Sequence, residues 1–157
     1  MPTVEVAERV AAPPEVVWAM LVEMEQFPTF MESLEAVEVL ERGPDYTVTR
    51  WTARLKGSRF VWTERDDFDR ERGRIEFHQV SGDLRVFEGY WQITPEGPDA
   101  TRVLLATTFE FGVPMLAALL NPIARVALRD NARAMLAAIA ARAGSSPAGS
   151  GVSCKDE

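Results

Sequence analysis

Two carboxylates, Glu64 and Asp66, stand two residues apart in the run Phe60-Val61-Trp62-Thr63-Glu64-Arg65-Asp66-Asp67-Phe68. In an extended strand, a rise of about 3.3 Å per residue places them on one face, roughly 6–7 Å apart. If that face lines a cavity, desolvation and mutual repulsion raise the pKa of at least one of them. One group then acts as general base, taking a proton alpha to a carbonyl. The other acts as general acid for loss of water. That chemistry suits an aldol cyclisation followed by dehydration. At an open rim the same two groups would instead be solvated, or paired with Arg50, Arg54 or Arg65.

Little else in the chain offers chemistry. His78 is the one histidine, and its parity opposes that of Ile75 and Phe77, which predicts an outer-face position. One histidine and one cysteine, Cys154, complete no zinc site and no internal disulfide. Gly43, Gly57, Gly73 and Gly82 fall in turns and form no phosphate-binding loop, and there is no nucleophile elbow. No metal and no cofactor is expected. The net charge of −7 argues against a nucleic-acid partner and against electrostatic docking on anionic lipid. The most apolar run, Val113 to Ile123, is too short to span a bilayer and contains Pro114 and Pro122, so no stable membrane insertion is expected. Met1-Pro2-Thr3-Val4-Glu5 lacks the features of a secretory signal, and Cys154 precedes no aliphatic pair that would make it a prenylation site. A cytoplasmic location is expected.

The elements that must position the carboxylates are legible from patterning. Residues 3–10 alternate as a first strand, and Pro13-Pro14 opens a short helix with Val16, Val17, Met20, Leu21 and Met24 on its apolar face. Phe27 to Met31 predicts a second short helical turn. Six further strands follow over 34–42, 46–55, 59–68, 74–81, 85–94 and 101–111, divided by short Gly-, Pro- and Asp-bearing turns. Such turns favour antiparallel neighbours. A long helix runs from Pro114 to Arg142. The fold class is therefore α+β, with one domain over residues 1–143 and a Gly/Ser-rich tail, 144–157, expected to be disordered.

These features resemble the START-like, helix-grip superfamily of polyketide cyclase/dehydrase and coenzyme Q-binding proteins. The residues that carry the likeness are Ala12-Pro13-Pro14-Glu15-Val16-Val17-Trp18, Phe27-Pro28, and Ser81-Gly82-Asp83 leading into Phe87-Glu88-Gly89-Tyr90-Trp91, with the closing amphipathic helix. The resemblance implies a seven-stranded antiparallel sheet curved around the long C-terminal helix, two short helices after strand 1, and a ligand pocket between sheet and helix. It also implies a small hydrophobic, polyketide-like ligand, cyclised or dehydrated by acid–base chemistry, with polyketide synthase components as partners. The superfamily's other branch implies a non-enzymatic lipid or quinone carrier. Its bacterial aromatase/cyclases carry a tyrosine after the second helix and an arginine on the fourth strand. Here Leu34 and Asp66 occupy those positions, with Glu64 at the polar position before; a one-residue shift would substitute Arg65.

Parity then gives a pocket. At about 100° per residue, Leu116, Leu120, Ile123, Ala127, Asn131, Ala134 and Ala138 share one helix face, bulky at its start and small at its end. Such a face leaves unfilled volume beside its small half. The facing sheet contributes Trp51, Phe60, Trp62, Phe77, Gln79, Phe87, Trp91 and Phe109, so the expected ligand-binding set is these eight with Leu120, Ile123, Ala127 and Asn131. Asn131 either hydrogen-bonds a ligand carbonyl or is satisfied by neighbouring groups. Gly89, within a strand, marks a bend or a close approach. Arg125, Arg129 and Arg133 are read as a solvated face.

Overall fold

The structure is a computed structural model that describes residues 2–144 except 56 and 113. Its strands are β1 (Thr3–Val10), β2 (Leu34–Arg42), β3 (Tyr46–Leu55), β4 (Ser58–Asp69), β5 (Arg74–Ser81), β6 (Val86–Pro95) and β7 (Thr101–Glu110). Between β1 and β2 lie the helix α1 (Pro14–Val22) and a 3₁₀ turn over Met24–Thr29; the helix α2 (Pro114–Gly144) closes the chain. The expected disordered tail falls outside the described residues beyond Gly144, and Cys154 with it.

All seven strands form one antiparallel sheet in the order β1-β7-β6-β5-β4-β3-β2. Short turns account for every neighbour pair but one. Gly73, at φ 65°, makes the β4–β5 turn in a conformation that a side chain would strain. The exception is β1 on β7, a pairing between the two ends of the sequence that leaves β1 and β2 as the sheet edges.

Period-two alternation supplies the core. Val4, Val6 and Val10 of β1, Ile75 and Phe77 of β5, Trp91 and Ile93 of β6, and Val103, Leu105 and Phe109 of β7 are buried on one side. α2 lies chiefly along β1, touches β3 and β7, and meets α1. It therefore grips one flank of the sheet and does not cover it evenly.

The helix phase departs from the sequence expectation. The buried face of α2 is Ala132, Met135, Leu136, Ile139 and Ala143, with Ala124 and Leu128 packed at its start. The expected face lies roughly a third of a turn away. Ile123 is 60% exposed and lines no core, Ala134 is exposed, and Leu120, Ala127, Asn131 and Ala138 are only half-buried. The side chain of Leu116 lies outside the described residues. Alanine on nearly every side removes the contrast that sets a phase, and Met115, Leu119 and Ile123 carry bulk on an exposed face.

Candidate active site

β4 brings the two carboxylates into the sheet's inner face, where Glu64 is 3% and Asp66 0% exposed. Their neighbours follow from register. The tight β3–β4 turn sets Thr49 opposite Glu64 and Thr47 opposite Asp66; on the other side β5 sets Gln79 opposite Glu64 and Phe77 opposite Asp66. A register shift between Thr63 and Glu64 leaves Val80 of β5 unpaired, a bulge of the kind often found beside functional groups.

The arginines that would neutralise the pair are engaged elsewhere. Arg50 meets Glu38 at 3.1 Å, Arg54 pairs with Glu35, and Arg65 donates to Asp67 at 3.0 Å while lying over the Tyr46 ring. Asp66, not Arg65, takes the inward position, and Leu34 is buried at the start of β2.

Hydroxyl and indole groups hold the carboxyls instead. Thr47 and Thr49 both donate to Asp66 Oδ2, at 3.1 and 2.7 Å. The Trp51 indole N–H donates to Thr49 Oγ1 at 2.8 Å, and the Trp62 indole N–H donates to Glu64 Oε1 at 2.8 Å. Asp66 Oδ1 is buried without a partner from these fixed donors. The two carboxyls are also within hydrogen-bonding reach of each other. Burial, then the charge of Asp66, push the Glu64 pKa well above the usual carboxylate range. Burial raises Asp66 as well, and bonds from Glu64, Thr49 and Thr47 offset part of that rise.

Aromatic rings pack around the pair in series. Trp51 and Trp62 stack at 5.8 Å with 10° between their planes. Phe87 lies edge-on to Trp62 at 5.3 Å and tilted against Phe77 at 5.9 Å. Phe27, fully buried, meets both Trp51 and Trp91 at 5.9 and 6.0 Å. Gly89 gives this layer its room, because a Cβ there would come within 1.9 Å of the Ala106 carbonyl oxygen and 2.9 Å of the Phe77 ring. Trp62 and Phe87 are half-buried and Phe60 is 42% exposed, so the aromatic surface opens at that edge. Gln79, half-buried there, donates to the Leu84 carbonyl at 2.6 Å.

The sequence-predicted residues thus divide. Trp51, Trp62, Phe77, Phe87 and Gln79 gather around or beside the carboxyls, with Phe60 at the rim, while Trp91 packs in the core against Phe27. Phe109 is fully buried against Phe111. Asn131 is satisfied within the protein, accepting from Ser33 at 2.6 Å and donating to the Met135 sulfur at 3.4 Å. Ile123 points away from the core. A cleft of about 480 Å³ does lie beside the small half of α2, lined by Phe30, Met31, Glu32, Ser33, Arg54, Ala134, Met135 and Ala138. The carboxyls do not line it. Phe27 stands between the two regions, touching Phe30 of the cleft and Trp51 of the carboxyl site.

Sequence reasoning assigned no role at this site to Thr47, Thr49 or Phe27. A signal for the threonines existed, since the β3–β4 turn and the shared parity with Trp51 fix which residues oppose Glu64 and Asp66. Phe27 was placed in a short helical turn by the sequence, but nothing local gave it a position beside the carboxyl site.

Known proteins share this fold. The family model for polyketide cyclase/dehydrase and lipid transport matches residues 10–136. The actinorhodin polyketide synthase bifunctional cyclase/dehydratase of Streptomyces coelicolor is 34% identical over 137 residues. That match covers 86% of this chain but 42% of the relative, so the chain spans less than half of that protein's length. Among solved structures, TTHA0849 from Thermus thermophilus superposes with a TM-score of 0.85 at 31% identity, covering 92% of this chain and all of that one. The Zhui aromatase/cyclase from Streptomyces sp. R1128 has the same fold, with a TM-score of 0.86 at 24% identity over 94% of this chain and 98% of that one. With its antiparallel sheet gripping a long closing helix and the family model matched over most of its length, the chain belongs to the polyketide cyclase/dehydrase and lipid transport family.

Proposed function

We propose that this protein binds a small hydrophobic, polyketide-like ligand against the aromatic rim and promotes its cyclisation or dehydration by acid–base chemistry at Glu64 and Asp66. The observation that carries this reading is a buried carboxyl pair with no arginine partner among the described residues, bonded to Trp62, which packs on Phe87. Burying a charge without a counter-ion is costly, and a group so placed holds a proton instead. A passive carrier of lipid or quinone needs an apolar wall, not two carboxyls behind one. The apolar rings bind and orient the ligand, and their exclusion of water strengthens each polar contact at the pair.

The likeness to a cyclase/dehydratase of a polyketide synthase supports a polyketide chain as the ligand class and synthase components as its source. The test is to incubate the protein with a linear β-hydroxy ketone polyketide thioester and compare products for wild type, Glu64→Gln and Asp66→Asn. Loss of the cyclised or dehydrated product in Glu64→Gln, with ligand affinity retained, is expected. Unchanged affinity and unchanged products in both variants would discard the enzyme reading, and a quinone or lipid co-purifying in native mass spectrometry would replace it with the carrier.

A further inference from the structure

The two carboxyls are not equivalent, and the asymmetry is built from donors with a fixed direction. An indole N–H can only donate, so the bond from Trp51 to Thr49 Oγ1 occupies that oxygen as acceptor and leaves the Thr49 hydrogen for Asp66 Oδ2. Thr47 adds a second hydroxyl donor to the same oxygen. Two donors on one oxygen favour the ionised form of Asp66. At the other end the Trp62 indole N–H occupies Glu64 Oε1. The unpartnered Oδ1 of Asp66 is satisfied once Glu64 carries a proton and donates it. Other groups facing the pair are uncharged: Gln79 and Phe77 from β5, and Thr47, Thr49 and Trp51 from β3. Arg65 and Asp67, alternating with the pair on β4, bond to each other.

From this geometry we infer that Trp51, Thr49, Thr47 and Asp66 form a one-way relay that fixes the pair's single proton on Glu64, which alone meets the ligand, with Asp66 as a positioning residue. The inference rests on the acid–base reading above and assigns roles within it. Both carboxyls are buried, but Glu64 is bonded to the indole of Trp62, a half-buried ring at the open edge, whereas Asp66 takes its bonds from the buried Thr47 and Thr49. Glu64 has one O–H, given to Asp66 in the free protein; on binding it turns to the ligand, so the ligand group it recognises is an acceptor oxygen: a carbonyl, or the hydroxyl about to leave. In the dehydration of a β-hydroxy ketone, Glu64 gives its proton to that hydroxyl. The C–O bond breaks with its electron pair on oxygen, which departs as water. The Glu64 carboxylate then accepts the α C–H proton, whose C–H electrons become the new C=C bond. The protein ends as it began, and no oxidant or reductant is consumed.

The relay is testable without any ligand. In protein labelled with ¹³C at Glu and Asp side-chain carboxyls, an NMR pH titration assigned through Glu64→Gln and Asp66→Asn should show Glu64 protonated at neutral pH and Asp66 ionised. Thr47→Val with Thr49→Val should move the proton toward Asp66 by about tenfold or more in the Glu64:Asp66 ratio, as expected for losing hydrogen bonds to a charged group. A wild-type spectrum with Asp66 protonated, or a double variant with the proton still on Glu64, would overturn the relay. If the double variant does not fold, the wild-type titration alone decides. A proton found on Glu64 together with unchanged products in Glu64→Gln would leave the relay standing and remove the catalytic reading, so the two failures are distinct.

Discussion

Glu64 links the site to the protein's stability. Its folded pKa stands above the ordinary carboxylate value of 4.5 because burial and Asp66 disfavour its charge. The folded state therefore holds a proton that the unfolded chain has already released. This contribution to stability is fully present below about pH 4.5 and is lost as pH rises through the raised folded value. Urea denaturation across that range should show wild-type stability falling where Glu64→Gln does not follow it. Trp62→Phe removes the N–H that steadies the charged form of Glu64. The fall should then extend to higher pH, read as an upward displacement of the Glu64 titration. The carboxyl pair was legible in the sequence because strand parity puts residues 64 and 66 on the face of Phe60 and Trp62. Its protonation asymmetry was not, since it depends on donors from β3 that come into place only through register.

Among the elements, strands and helix were readable to different degrees. A strand has two faces, so one clear apolar residue sets the side of all the others, and the inner rows of β3 to β7 follow from it. A helix has a continuous phase, and α2 offers alanine on almost every side. Bulk at Leu116, Leu120 and Ile123 gave weight to the wrong face, and Ile123 is exposed. Substitution separates the two phases. Ile139→Ala, at a fully buried position, should destabilise by about 2–5 kcal/mol. Ile123→Ala, on the exposed side, should change stability by less than about 0.5 kcal/mol. Equal effects in thermal or urea melts would refute the observed phase. The glycine of β6 was marked by its place inside a strand. Gly89→Ala would set a methyl against the Ala106 carbonyl, where main chain must yield. A loss of about 1–3 kcal/mol or more is expected, and a neutral result would mean that β6 and β7 are less closely apposed there.

For the whole molecule, short turns made the antiparallel order from β2 to β7 foreseeable, whereas the pairing of β1 with β7 came only from the structure. The distribution of space was less readable. The small half of α2 does border a cleft, beside Ala134 and Ala138, but Phe27 and the stacked tryptophans separate it from the carboxyls. Bulk at one position of a 3₁₀ turn decided that, and periodicity carries no information about it. The rim at Trp62 and Phe87 is where a ligand is expected to bear on Glu64, so binding should alter tryptophan fluorescence and raise the melting temperature. At a hundredfold excess over Kd the gain is about 2.7 kcal/mol.

The central claim is that Glu64 acts on the ligand as a proton donor. The most direct measurement is the rate of water loss from a linear β-hydroxy ketone polyketide thioester, followed by mass spectrometry from about pH 5 to 9, for wild type and Glu64→Gln. The wild-type rate should decline as pH rises through the raised Glu64 pKa, and the Glu64→Gln rate should be lower by about 10²–10⁴-fold. A rate indifferent to pH and unchanged by Glu64→Gln would contradict that role.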